Sequence, residues 1–317
     1  MKTATAKSLP SFTRILIASL CLYFFAGNDS GADTVFVSTG EGVSVANANG
    51  VVTVFSNSSG GASGLAVDAS GNVYAASSSG NAIWKYNPSG QGSVFANVQS
   101  PTGLVFDSNG NLCVSTWIGT ASGSILKFNS SGQSTVFASG SNLHFPSGLA
   151  FDSAGNLYVA NTANDYISKF DSGGNGSFFS FTGSRPFGLA FDSSGSLYAA
   201  CAGGNGIVGS GPSEIDKFNS SGQREYAPSG VLGNNGLAFD SQGYLYVTGQ
   251  VYLDAGSPFP VIYKIDANGN GSIFATGSRG DGFYGIAIVP EPSSFAVMAL
   301  GIVALCKGFK LNSQRGV

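Results

Sequence analysis

A five-residue phrase that occurs six times constrains this chain more than any other feature. GLAVD at Gly64 to Asp68 recurs as GLVFD from Gly103, as GLAFD from Gly148, Gly188 and Gly236, and as GIAIV from Gly285, at spacings of 39, 45, 40, 48 and 49 residues. Repeats of this length are supersecondary units that bury their apolar faces only by stacking on their neighbours. The first five copies run into Asp-x-x-Gly, closing at Gly71, Gly110, Gly155, Gly195 and Gly243. Aspartate first and glycine fourth suit a type I turn, the carboxylate accepting from the turn's own backbone and glycine taking positive φ. The phrase is therefore the first arm of a hairpin. Its second arm is NVYAA, NLCVS, NLYVA, SLYAA or YLYVT; a third follows as IWKYN, ILKFN, ISKFD, IDKFN or IYKID; a fourth is SVFAN, TVFAS, SFFSF or SIFAT. Period-two patterning, β-branched and aromatic residues and closely spaced turns predict four antiparallel strands per repeat.

Repeated four-stranded units of about 40 to 50 residues are propeller blades, whose radial closure leaves few exposed sheet edges. Residues 33–58 align with strands two to four and lack strand one, whereas residues 284–290 are strand one alone. Joined, the two ends complete a blade. The expectation is an all-β chain: a six-bladed β-propeller of four-stranded antiparallel blades over residues 33–290, with one blade shared between the N- and C-terminal segments. The phrase Gly-Leu-Ala-Phe-Asp-x-x-Gly-Asn-Leu-Tyr-Val-Ala, complete at Gly148 to Ala160, resembles that of the six-bladed NHL-repeat and gluconolactonase-like propellers. Such propellers host binding modules, lactonases and lyases alike, so the resemblance implies a fold and leaves the activity open.

Composition narrows the partners. Residues 33–290 carry 8 Lys and Arg against 15 Asp and Glu, a net of −7, which argues against nucleic acid because phosphate binding needs a basic face. His144 is the only histidine, which removes most His-based catalysis and multi-His metal sites. Cys113 and Cys201 fall two blades apart, beyond disulfide reach, and are expected as buried or semi-buried thiols.

Both ends read as address labels. Lys2, Lys7 and Arg14 precede the apolar run Ile15 to Ala26, and Ser30, Gly31 and Ala32 offer a small-residue cleavage site, so residues 1–32 are expected to be a secretory signal peptide. At the other end Pro290, Glu291 and Pro292 lead into the apolar run Phe295 to Cys306 and then Lys307, Lys310 and Arg315. Twelve apolar residues span only about 18 Å as a helix, so residues 291–317 fit a tail with a short, transient membrane anchor. This order resembles the bacterial PEP-CTERM sorting signal, with a sparser basic end than the family usually has. The resemblance implies transient partners, the export machinery and an exosortase, and a location at the envelope surface or extracellular matrix of a bacterium.

The turns between first and second strands (DASG, DSNG, DSAG, DSSG, DSQG) are monotonous, whereas the loops on the opposite face vary: TGEG, SSSGNA, TWIGTASG, NTANDY, CAGGNGIVGSGPSE and GQVYLDAGSPFP. Differing loops on a rigid scaffold are where recognition sits. Trp117, His144, Asn161, Arg185 and Tyr284 are the ligand-binding candidates there, since aromatic and planar polar groups orient a neutral, hydrated ligand. The repeated aspartates read as turn caps. Tyr74, Tyr158, Tyr198, Tyr246 and Phe36 read as filling between blades. Lys85, Lys127, Lys169, Lys217 and Lys264 fit a solvated outer row or a ligand stripe equally well. GxGxxG at Gly204 to Gly209 begins no helix, and the calcium-loop start at Asp266 ends on Gly277 where a bidentate Glu is needed. His144 lacks a Glu or second His at recognisable spacing, and the Glu and paired Asn of gluconolactonase-like metal sites are not found in matching context. No catalytic residue, metal or cofactor is assigned. The expected function is a non-catalytic binding module for a matrix or envelope glycan or protein; the alternative is a secreted lactonase-like or lyase-like enzyme using the same face.

Overall fold

The computed structural model describes residues 33–290 apart from 58, 118, 120, 121, 204–213, 226–232, 252–257 and 279–281. The signal-peptide and sorting segments, with Glu291 and Pro292, lie outside the described residues, as does the GxGxxG stretch. The described chain folds into six four-stranded antiparallel sheets, each running from an innermost to an outermost strand. Blade 1 is the shared one: Ile286–Val289 pairs with Thr34–Ser38 in the register Phe36↔Ala287, and Val43–Ala46 and Val52–Ser56 complete it. Blades 2 to 6 begin with Leu65–Val67, Pro101–Phe106, Pro146–Phe151, Arg185–Phe191 and Gly233–Phe239. The repeats, the count of six and the clasp are as the sequence predicts.

The turns form as their residues dictate. Asp68 Oδ1 accepts the backbone N–H groups of Ser70 and Asn72, both at 2.9 Å, and the glycines closing the five Asp-x-x-Gly turns hold φ between +77° and +86°. The same capping recurs at Asp107, Asp152, Asp192, Asp240 and Asp266.

Each hydrophobic core lies in a seam between two blades. Tyr74 meets Phe95 of its own blade and Phe106 of the next edge-on, both at 5.1 Å, and Tyr158 meets Phe179 and Phe191 in the same way. The lysines pack in the seams and do not form a solvated outer row. Lys85 sits 5.0 Å over the Tyr74 ring and 3.7 Å from Asp68, and the arrangement recurs with Lys169 and Lys264. Antiparallel register sets Tyr74 beside Lys85 on one side of the sheet, so the lysine stem packs the seam while its ammonium meets the turn carboxylate. In blade 3 Cys113 replaces the tyrosine and Lys127 closes to 2.7 Å from Asp107.

Two outer strands depart from expectation. That of blade 5 is described at Arg224–Glu225, where the apolar fourth-strand phrase is absent, and residues 226–232 after it lie outside the described ones. That of blade 3, Ser134–His144, runs eleven residues and carries His144 at its end, where the sequence places it on a free crossing.

Candidate functional site

The six repeated glycines build the central channel. A Cβ on Gly64, Gly103, Gly148, Gly188, Gly236 or Gly285 would lie between 2.0 and 2.6 Å from a carbonyl oxygen of the next blade, in order around the ring and back to Ser63. Only glycine lets six innermost strands approach backbone to backbone. None of these six has positive φ, so the demand is for space and not for conformation. Hydroxyls stitch the same seams: Ser115 Oγ accepts from Gly103 N at 2.7 Å and donates to Ser147 O at 2.6 Å, and Ser38 and Thr248 do the same in their blades.

The residues flanking each glycine line a cavity of about 370 Å³. Leu65, Leu104, Leu149, Leu189, Leu237 and Ile286 form an apolar ring, each 5 to 7% exposed. Ser63, Thr102, Ser147, Phe187, Asn235 and Tyr284 supply the rest of its wall. Among the described residues that wall contains no carboxylate, imidazole, ammonium or guanidinium. The Asn235 amide donates to Phe283 O at 2.9 Å. Tyr284 is the exposed member, its ring folded over Gly282. A second hollow of about 280 Å³ lies at the seam between blades 6 and 1 and includes Glu41. Among the described residues no three His, Cys, Asp or Glu side chains converge as a metal site would require.

Three of the five candidates cluster at the seam between blades 3 and 4. Trp117, the last residue of its strand, packs on Phe145 at 4.8 Å, and His144 precedes Phe145. Phe145 holds φ +47°, a conformation costly for a bulky residue. Asn161 Oδ1 accepts from the His144 backbone N–H at 2.7 Å, and its amide donates to Ser168 Oγ at 2.9 Å. Asn161 is fully buried, so it supports the His144 segment from beneath. His144 Nε2 bonds Ser141 O at 2.8 Å. Arg185 opens the inner strand of blade 5 opposite Ala202, half-buried and without an ion pair among the described residues. Tyr284 stands apart on the channel wall.

A cluster that sequence reasoning missed lies in the seam between blades 4 and 5. Asp216 occupies a third-strand position held by Trp84, Leu126, Ser168 and Tyr263 in blades 2, 3, 4 and 6. It is 1% exposed, paired with Arg224, which also reaches Glu214 at 3.0 Å. Burial pushes the Asp216 carboxyl up to about 6 although Arg224 opposes the shift. Cys201 Sγ lies 3.7 Å from Asp216 Oδ2, and burial raises this thiol well above its ordinary value. Both described cysteines are free and buried.

No protein-family model and no curated protein matches the sequence. Solved structures do match it. Virginiamycin B lyase from Staphylococcus aureus aligns with a TM-score of 0.52 at 15% identity, over 74% of this chain and 86% of that one. A gluconolactonase from Xanthomonas campestris gives 0.56 at 21%, over 69% and 84%. A chain of a nidogen/laminin complex gives 0.63 at 19%, over 81% and 98%. What they share with this chain is the propeller fold. At such identities two enzymes and a member of a protein complex stand equally as neighbours, and the fold does not choose among their activities.

Proposed function

We propose that this chain is an exported, surface-sorted β-propeller that acts as a non-catalytic binding module for an extracellular glycan or protein. The observation that carries the reading is the neutral wall of the central cavity. General acid–base chemistry is most often carried by a carboxylate, imidazole or ammonium within reach of the substrate, and the described residues around the cavity offer aliphatic hydroxyls, an engaged amide, aromatic rings and the Tyr284 phenol instead. Neutral polar groups and aromatic faces orient a ligand without transforming it. Trp117, His144, Arg185 and Tyr284 are the contact residues in this reading, with Asn161 holding the His144 segment. The nidogen/laminin neighbour is a propeller found within a protein complex, which is consistent with binding on this scaffold. Export and sorting rest on the two end segments of the sequence. PEP-CTERM processing by an exosortase would leave a product running from about Asp33 to the Pro290 region.

Biolayer interferometry against immobilised matrix polysaccharides and surface proteins of the source bacterium tests the binding reading. Trp117→Ala and Arg185→Ala should each weaken the interaction about tenfold while leaving the protein folded, since Trp117 and Arg185 are only half-buried and lie outside the inter-blade cores. Full retention of binding by both variants would sink this assignment. Intact-mass measurement of native exported protein tests the processing: retention of residues 295–317 would contradict sorting by cleavage.

A further inference from the structure

The blades are internal controls for one another, and blade 4 breaks the pattern on its outer strand. The exposed position held by Val54, Val94, Val136 and Ile273 in blades 1, 2, 3 and 6 is Phe178 in blade 4. Three residues on, where blades 2, 3 and 6 carry Asn97, Ser139 and Thr276, blade 4 carries Phe181. Phe178 is 53% and Phe181 68% exposed. The fold has no use for either ring, because neighbouring blades close with smaller side chains. Both belong to a row: Phe178 lies 4.8 Å from Phe181 and 5.9 Å from Tyr166, and Tyr166 lies 6.1 Å from His144. Strand pairing sets Tyr166 opposite Phe181 and Ser168 opposite Phe178, so these rings share one side of the sheet. The long outer strand of blade 3 borders the row, Asn142 donating to Gly176 O at 3.0 Å and accepting through its carbonyl from Ser168 Oγ at 2.7 Å.

We infer that this aromatic row, His144, Tyr166, Phe178 and Phe181, is a binding platform for a neutral polysaccharide. Size argues against a protein partner. An aromatic side chain presents about 150 to 250 Å², so the two phenylalanines at their exposures offer roughly 250 Å² and the half-buried Tyr166 and His144 add at most about 150 Å². A stable protein interface needs about 800 Å² per partner. A chain of sugar rings needs only successive aromatic faces, on which its C–H faces lie while its hydroxyls stay in water. Charge argues against an acidic glycan. The nearest lysine on these strands, Lys169, lies on the opposite side of the sheet, 5.1 Å over Tyr158 and 3.7 Å from Asp152. None of the four residues of the row is a lysine or arginine, and the guanidinium that comes beside Gly183, two residues past Phe181, is that of Arg224, which is engaged by Asp216 and Glu214. The platform shares His144 with the proposed site at the seam but faces the perimeter. It deepens the binding reading and names the ligand class.

Native affinity electrophoresis of the full-length chain in gels containing galactomannan, a mixed-linkage β-glucan, xylan or a polyuronate tests it. At least one neutral polysaccharide should retard the protein. The double substitution Phe178→Val with Phe181→Asn, which installs the residues of blade 2, should weaken that retardation at least tenfold, with thermal stability unchanged to within about 2 °C, as for surface positions. Retardation by none of the neutral polymers, retardation by the polyuronate alone, or equal retardation of the double variant would overturn the inference. Self-association of the parent that the double variant abolishes would overturn it too, assigning the rings to contact between copies. Loss of binding in Trp117→Ala with retention in the double variant would overturn the platform and leave the binding module itself in place.

Discussion

The glycine ring makes the sharpest statement about stability. A Cβ on Gly103 would lie 2.0 Å from Ser147 O and 2.9 Å from Ser115 Oγ, so Gly103→Ala must drive the two innermost strands apart by about 1 Å. Overpacking of that kind costs roughly 1 to 3 kcal/mol. The Ser115 hydroxyl, which bridges Gly103 N and Ser147 O, would lose geometry at both bonds, adding about 1 kcal/mol for each. The sum, about 3 to 5 kcal/mol, is a large part of the roughly 5 to 15 kcal/mol that holds a domain folded. For a domain of this size it should lower the melting temperature by roughly 10 °C. Gly40→Ala is the control, since a Cβ there meets nothing within 4 Å, and it should melt with the parent. Differential scanning calorimetry of the two variants decides the matter. Equal melting of Gly103→Ala and Gly40→Ala would refute the claim that the strands touch through glycine.

Removing residues 285–317 should destabilise the whole ring, because blade 1 would lose the strand paired with Thr34–Ser38 and two inter-blade cores would open. Retention of the parent melting temperature in that truncation would contradict the clasp. For Asp216, folded near 6 against 3.8 unfolded, the native state binds more protons between those values, so stability should fall as pH rises through that window. The full effect is about 3 kcal/mol, and Asp216→Asn should flatten this part of the profile; an unchanged slope in the variant would count against it. Cys113, pushed up to about 12 by burial, and Cys201 should not react with a thiol reagent in native protein carrying Cys21→Ser and Cys306→Ser, and both should react once unfolded. Prompt native labelling would contradict their burial.

Much of the fold was legible because each blade repeats its own instructions. The Gly-Leu phrase marks the innermost strand, Asp-x-x-Gly the first turn, and the incomplete first and last copies show that the termini share a blade. The lysine row was ambiguous because its fate depends on which residue register places beside it, and only pairing reveals Tyr74 next to Lys85. The Asp216, Arg224 and Glu214 cluster was hidden for a related reason: nothing local marks a buried acid whose partner comes from another strand. The Phe178 and Phe181 pair was visible in principle, since SFFSF departs from SVFAN at two exposed positions, but the Phe-rich phrase reads as a better core strand until exposure is known. His144 was placed one element late because the outer strand of blade 3 runs on past its phrase to meet Ser122.

The most direct test of the central claim, a binding propeller without chemistry in its channel, is a hydrolysis assay of the full-length chain. It would use aldonolactones and cyclic depsipeptides with and without added Ca²⁺, Mg²⁺ or Zn²⁺. The neutral cavity wall predicts turnover no faster than buffer under every condition. Cation-dependent turnover that Asn235→Ala or Tyr284→Phe abolishes would place an active site in the channel and contradict it.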